Sequence, residues 1–232
     1  MNDDKIFEGV THVLVQGDTT SAFSVALAAF HRGLNIMHLE AGLRTYNMEH
    51  PYPEEFNRQV ISRAASTHFC PTRTAARNLD SEGVTGEKYV TGNTILDALV
   101  DVEPYYGDTV LVTMHRRENH DRMKDWFRAI EALAVKHQDL EFILPIHPNP
   151  NVKKHANIFD AVNVVPPMKY DDMISELAKA RMVITDSGGI QEESSFLKKR
   201  SVVCRKITER VEGLGEFHFL SETPEELNYI FD

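Results

Sequence analysis

The chain has 232 residues, with 25 Lys and Arg against 35 Asp and Glu, a formal charge of −10. Hydrophobic residues make up 42%, an ordinary globular mixture long enough for one large domain or two small ones. The acidic balance speaks against a nucleic-acid groove or an anionic membrane surface as the main partner, but not against a small anion held by backbone amides and a few arginines.

The opening residues, Met1 to Lys5, are acidic and no long apolar run follows. No secretory signal and no membrane-spanning helix is expected, and the chain reads as a soluble cytoplasmic protein. The first strand-like run, His12–Gln16, passes through Gly17, Asp18, Thr19 and Thr20 into a helical pattern over Ser21–Arg32. There Phe23, Ala26, Leu27 and Phe30 share a face, and Gly33 suits the stop. Ile36–Leu39 leads into Glu40-Ala41-Gly42-Leu43-Arg44-Thr45, and Glu54 and Glu55 follow Pro53 as in the first turn of a helix. Thr67–Cys70 and Lys88–Thr91 complete this series.

Val102–Asp108 separates the first series from a second. Two α/β lobes, 1–103 and 104–232, are therefore expected, with a cleft between them as the default site. In the second series Val110–Thr113 leads to Met114-His115-Arg116-Arg117-Glu118-Asn119, then to a helix over Asp121–His137. Glu141–Ile146 leads to His147-Pro148-Asn149-Pro150, and Val162–Val165 precedes a helix over Tyr170–Ala180. Met182–Thr185 leads to Asp186-Ser187-Gly188-Gly189 and a helix over Ile190–Lys199 carrying Glu192 and Glu193. Ser201–Cys204 is the last strand-like run. Continuous Val/Ile/Leu runs suit strands covered on both faces, and strands alternating with helices give a mostly parallel sheet.

In such sheets ligands sit outside the carboxyl ends of the strands. Five of those ends carry polar or charged groups here. Each group has a plain structural explanation: Asp18, Thr19 or Thr20 as a helix N-cap, Glu40 with Arg44 as an ion pair, His147 as a core histidine. Together they outweigh those explanations. The turn at Asp186–Gly189 is the most telling, because two glycines let backbone approach an anion where a helix N-terminus supplies amides. Glu193, about one turn further on, could face a sugar hydroxyl. No Gly-Lys-Ser/Thr follows and there is no G-x-G-x-x-G, so neither ATP nor NAD is indicated. Cys70 and Cys204 read as buried reduced thiols. Zinc spacings and a G-x-S-x-G elbow are absent, so no metal site is expected.

With these segments in view the sequence resembles the non-hydrolysing UDP-N-acetylglucosamine 2-epimerase family, whose fold is GT-B. The matching runs are 15–20, 38–45, 53–58, 91–94, 115–119, 145–149 and 185–193, in the family's order. The resemblance implies two facing Rossmann-like lobes with parallel sheets, UDP held mainly by the C-terminal one, and no redox cofactor. It implies interconversion of UDP-GlcNAc and UDP-ManNAc at C2. UDP and the C2 proton are eliminated to give 2-acetamidoglucal, and UDP adds back after proton delivery on the other face, which needs acid/base groups on both sides of the sugar.

By the same resemblance Asp18, Glu40, Glu54 and His115 take catalytic positions. Ser187, Gly188 and Gly189 would hold the diphosphate and Glu193 the ribose hydroxyls. Arg116 and His147 fall at nucleotide or effector contacts, and Arg210 at a Thr-Glu-Arg segment near the nucleotide. Family members are commonly dimers, so a homodimer is the implied assembly. They normally begin several dozen residues earlier, with a Gly-Thr-Arg-Pro-Glu-type loop that supplies an Arg and a Lys. The resemblance thus implies an N-terminal lobe lacking its first βαβ portion and leaving an exposed sheet edge. Val211 stands where the family usually has proline. A UDP-sugar-binding remnant without turnover, and a hydrolysing relative that releases ManNAc and UDP, are the alternative readings.

Overall fold

A computed structural model describes residues 4–232. The chain divides into two compact units, Met1–Thr94 and Ile95–Asp232. From the sequence alone the division is expected between 103 and 104. The difference comes from Leu99, which is fully buried in a cluster with Leu111, Ile174, Leu177 and Val183 of the second unit.

The first unit runs β1 (His12–Gln16), α1 (Thr20–Phe30), β2 (Asn35–Leu39), α2 (Glu54–Ala64), β3 (Thr67–Cys70), α3 (Arg73–Ser81) and β4 (Glu87–Val90). Its four strands are all parallel, in the order β1-β2-β3-β4. Thr19 rather than Asp18 caps α1, its hydroxyl accepting from the Ala22 amide at 3.2 Å. Val15 and Ile36 from the sheet meet Ala26 and Ala29 of α1 and Ile61 of α2 in the core. In α3 only Ala75 and Leu79 are buried, and Thr72 caps it. Gly42 carries φ +86°, and a Cβ there would run into the Ala75 carbonyl, so its glycine answers to close backbone packing.

The second unit runs β5 (Thr109–Thr113), α4 (Met123–Lys136), β6 (Glu141–Pro145), α5 (Pro150–Lys153), β7 (Asn163–Val165), α6 (Tyr170–Lys179), β8 (Ala180–Thr185), α7 (Gly188–Phe196), β9 (Arg200–Val203), β10 (His218–Leu220) and α8 (Pro224–Phe231). A 3-10 turn over Arg117–Arg122 stands where the start of the Asp121–His137 helix was expected. The parallel strands lie in the order β10-β9-β8-β5-β6-β7. Trp126, Phe127, Phe142, Ile184 and Leu227 fill one face; Leu111, Leu177, Val183 and Leu197 fill the other.

This strand order places a switch point. From β5 the chain builds outward through β6 and β7, then returns to the opposite flank of β5 with β8 and builds away through β9 and β10. Ligand crevices of open parallel sheets lie at such points, outside the carboxyl ends. Cys70 and Cys204 are free and buried. Among the described residues no helix is long and apolar enough to cross a membrane.

Candidate functional site

In the second unit β5 and β8 pair in register up to Thr113 and Thr185, whose hydroxyls are 2.6 Å apart. Chain leaving the two strands therefore emerges side by side, His115 and Arg116 from one and Ser187 from the other. Ser187 caps α7, its hydroxyl facing the Ile190 amide at 3.5 Å, and its own amide donates to Thr185 Oγ1 at 2.9 Å. The helix begins at Gly188, two residues before the expected start, so both glycines lie in its first turn.

Those glycines have different causes. A Cβ on Gly188 would strike the guanidinium of Arg210, which lies against it. A Cβ on Gly189 would meet only Ser187 Oγ, at an ordinary 3.9 Å, and its φ is not in the left-handed region. Among the described residues nothing requires glycine at 189. An open helix N-terminus at that point leaves room for an anion to approach the amides.

Arg210 is held from several sides: Nε lies 2.9 Å from Glu192, Nη1 contacts Glu209, and Gln191 donates to its carbonyl at 2.8 Å. Buried Arg205 extends this network, binding Glu118 at 2.9 Å and Glu209 at 3.0 Å. Glu193 points inward from α7 and accepts from the Tyr170 hydroxyl at 3.2 Å. Burial pushes its carboxyl up to about 7.

His147, at the end of β6, is exposed rather than a core histidine. Its ring stacks on that of His115, and its Nδ1 accepts from the Asn149 amide at 3.1 Å. Burial lowers the His115 pKa; nearby His147, Arg116 and His120 act in the same direction and Asp186 opposes them.

In the first unit Asp18 and Glu40 flank Gly17. Asp18 forms an ion pair with Arg58 of α2, and Asn57 donates to its carbonyl at 2.8 Å. Glu40 follows β2 with φ +62°, a conformation that side chains larger than Asn or Asp seldom adopt and that concentrates at functional sites. Gln16 donates to Glu40 at 2.9 Å, whereas Arg44 pairs with Glu82 at 2.7 Å. The Glu40–Arg44 bridge considered from sequence is not formed. Buried His38 donates from Nε2 to the Gly17 carbonyl at 2.8 Å, fixing the turn that carries Asp18. Glu54 is part-exposed in the first turn of α2. Its neighbour Glu55 is fully buried and accepts the amides of Thr45 and Tyr46 at 3.0 and 3.1 Å, tying down the loop that follows Glu40.

The structure adds Arg58, Glu55 and Tyr170 as partners of the candidate residues or their loops, and gives Asp186 contacts beyond its own turn. Nothing in a single sequence separates buried Glu55 from part-exposed Glu54 beside it.

Two α/β units with parallel sheets, polar groups gathered at the strand ends and a glycine-bearing turn at a switch point define a GT-B-like protein. The chain belongs to the UDP-N-acetylglucosamine 2-epimerase family, whose model matches residues 8–223. It is 40% identical over 231 residues to a UDP-N-acetylglucosamine 2-epimerase of Campylobacter jejuni, covering 87% of this chain and 60% of that protein. The chain thus spans about three fifths of that relative's length. A crystal structure of the Neisseria meningitidis UDP-GlcNAc 2-epimerase bound to UDP-GlcNAc is similar with a TM-score of 0.84 and 33% identity, over 98% of this chain and 69% of that one. The Methanocaldococcus jannaschii UDP-GlcNAc 2-epimerase, in complex with UDP-GlcNAc and UDP, is similar with a TM-score of 0.83 and 30% identity, over 98% and 70%.

Proposed function

We propose that the chain carries the machinery of a non-hydrolysing 2-epimerase, converting UDP-GlcNAc to UDP-ManNAc. One observation carries the reading: at the β5/β8 switch point an open helix N-terminus and an imidazole emerge from adjacent strands. That juxtaposition suits a diphosphate leaving group beside an acid/base residue. The relatives that bind UDP-GlcNAc or UDP support the choice of nucleotide.

The chemistry balances without an oxidant. The C2–H and C1–O bonds break, C1=C2 forms, and UDP departs as an anion onto Ser187, Gly188 and Gly189. Re-addition breaks C1=C2, returns a proton to C2 on the opposite face and reforms C1–O with UDP. Asp18, Glu40, Glu54 and His115 are the groups assigned to move protons. Glu193 would hold the ribose diol, with Arg116, His147 and Arg210 around the nucleotide.

The test is a variant series on the purified chain, with sugar nucleotides resolved by NMR and UDP affinity by calorimetry. His115→Ala and Glu40→Gln should lose turnover by about 10²-fold or more while UDP affinity stays within about threefold. Ser187→Ala should instead weaken UDP binding. Equal loss of binding in all three folded variants would sink the division of roles, and ManNAc with free UDP as products would establish the hydrolysing reaction instead.

A further inference from the structure

We propose that Asp186 is a positioning residue: its carboxylate locks the His115 loop to the turn that opens α7, so that the imidazole and the anion site keep one geometry. The proposal rests on His115 being an acid/base group and on Ser187–Gly189 receiving the diphosphate, and it adds the part that joins them.

Asp186 is the first residue after β8 and is completely buried. Its carboxylate accepts the amides of His115 at 3.0 Å and Arg116 at 2.9 Å, and the Asn119 side-chain amide at 3.0 Å. Its own amide donates to the Thr113 carbonyl at 3.1 Å. Asn119 also donates to the Cys204 carbonyl at 2.9 Å, so one carboxylate ties together the ends of β5, β8 and β9. An ionised group with no exposure is costly unless several donors meet it, and three do.

Capping does not account for it, because Ser187 caps α7. The bonds of Asp186 go to a loop about seventy residues away in sequence. Its next neighbour in the chain is Ser187, so a shift of the turn on loading with an anion passes directly to the backbone of His115.

The geometry also has an electrostatic side. Asp186 Oδ1 lies 3.6 Å from His115 Nδ1. The other groups facing that imidazole are His147 from β6 and Arg116 and His120 from its own loop, all of which disfavour its protonation. Among these described groups Asp186 alone favours it.

The experiment uses the full 232-residue chain, with UDP as the probe. The His115 C2–H resonance is followed by NMR through a pH titration and through addition of UDP. In Asp186→Asn the His115 titration should fall by about one pH unit, and the response of that resonance to UDP should drop to less than about half. Where turnover is measurable, kcat should fall roughly tenfold or more while KM changes by less than about threefold. Asn119→Ala, which removes one donor and keeps the carboxylate, should leave the titration near the native value. If Asp186→Asn does not fold, Asp186→Glu decides: the charge stays but is displaced, and the UDP response of His115 should still be lost. A folded variant whose His115 titration and UDP response both match the native chain overturns the proposal. So does weakened UDP binding with an unmoved titration. The titration reads Asp186 whether or not the chain turns over sugar. A native chain that binds UDP without turnover would therefore count against the epimerase reading and leave this one to be decided by His115.

Discussion

The imidazole of His147 stacks on that of His115, with ring centroids 5.2 Å apart and planes 18° from parallel. The neighbouring His147 ring disfavours protonation of His115, and the Asn149 amide donates to His147 Nδ1. Replacing His147 by Phe keeps a flat ring and removes the basic partner. The His115 titration point should then rise by roughly half a pH unit, as read from its C2–H shift by NMR. A fall, or no change, would show that the pair is not electrostatically linked.

The role proposed for Glu193 in holding the ribose gives UDP binding its own pH dependence. Its carboxyl titrates near 7 because it is buried, and the Tyr170 hydroxyl that it accepts partly offsets that burial. A carboxylate accepts two ribose hydroxyls better than a protonated acid does. UDP affinity should therefore rise between pH 6 and pH 8, by up to about tenfold per unit below the midpoint. Glu193→Gln should flatten the curve relative to the native chain, and Tyr170→Phe should move it to higher pH. Calorimetry at three pH values checks this, and parallel curves for all three proteins would remove Glu193 from the diol.

Gly188 and Gly189 should respond to alanine in different ways. At 188 the methyl collides with Arg210 and disturbs its pairing with Glu192 and Glu209, so the melting temperature should fall. At 189 the methyl meets only ordinary contact and takes up the space above the helix amides. Gly189→Ala should keep or slightly raise stability, since alanine favours a helix by about 1 kcal/mol over glycine. UDP binding should nevertheless weaken about tenfold or more. Unchanged UDP affinity in a folded Gly189→Ala chain would place the diphosphate elsewhere.

The first unit should lose stability in acid through His38. Burial pushes that imidazole down to about 4 from the ordinary 6.5. Between those values the unfolded chain binds the proton and the native one does not, so stability rises with pH across the window and is lost as pH falls from 6.5 to 4. The contribution is of order 3 kcal/mol. Urea melts at pH 7, 5.5 and 4.5 should show that loss, and the slope should be shallower in His38→Gln. Equal slopes in the two proteins would count against it.

Much of this was legible in the sequence because parallel strands announce themselves. β1 and β5 each carry a Val-Leu-Val core and β8 a Met-Val-Ile core ahead of a polar turn, and the strand bounds lie close to those short apolar runs. β10 is three residues, His218–Leu220, and has no such run. The surface of α3 is largely polar, with Ala75 and Leu79 alone buried, so its apolar stripe is too thin to read. Ser187, Gly189 and His115 could be placed at strand ends from spacing alone. The use of Asp186 could not, because its partners come from a loop distant in sequence and meet it only once β5 and β8 are neighbours. For the same reason Arg58 and Glu55 were invisible: their roles depend on α2 lying beside the turns after β1 and β2.

Epimerisation turns on the C2–H bond of the sugar, and the most direct measurement follows that bond. Purified chain is incubated with UDP-GlcNAc in deuterated water and the sugar is observed by NMR. UDP-ManNAc carrying deuterium at C2 is the expected product, with the proton signal of the starting sugar declining as exchange proceeds. A chain that binds UDP yet leaves the C2 proton in place and forms no second sugar nucleotide would contradict it.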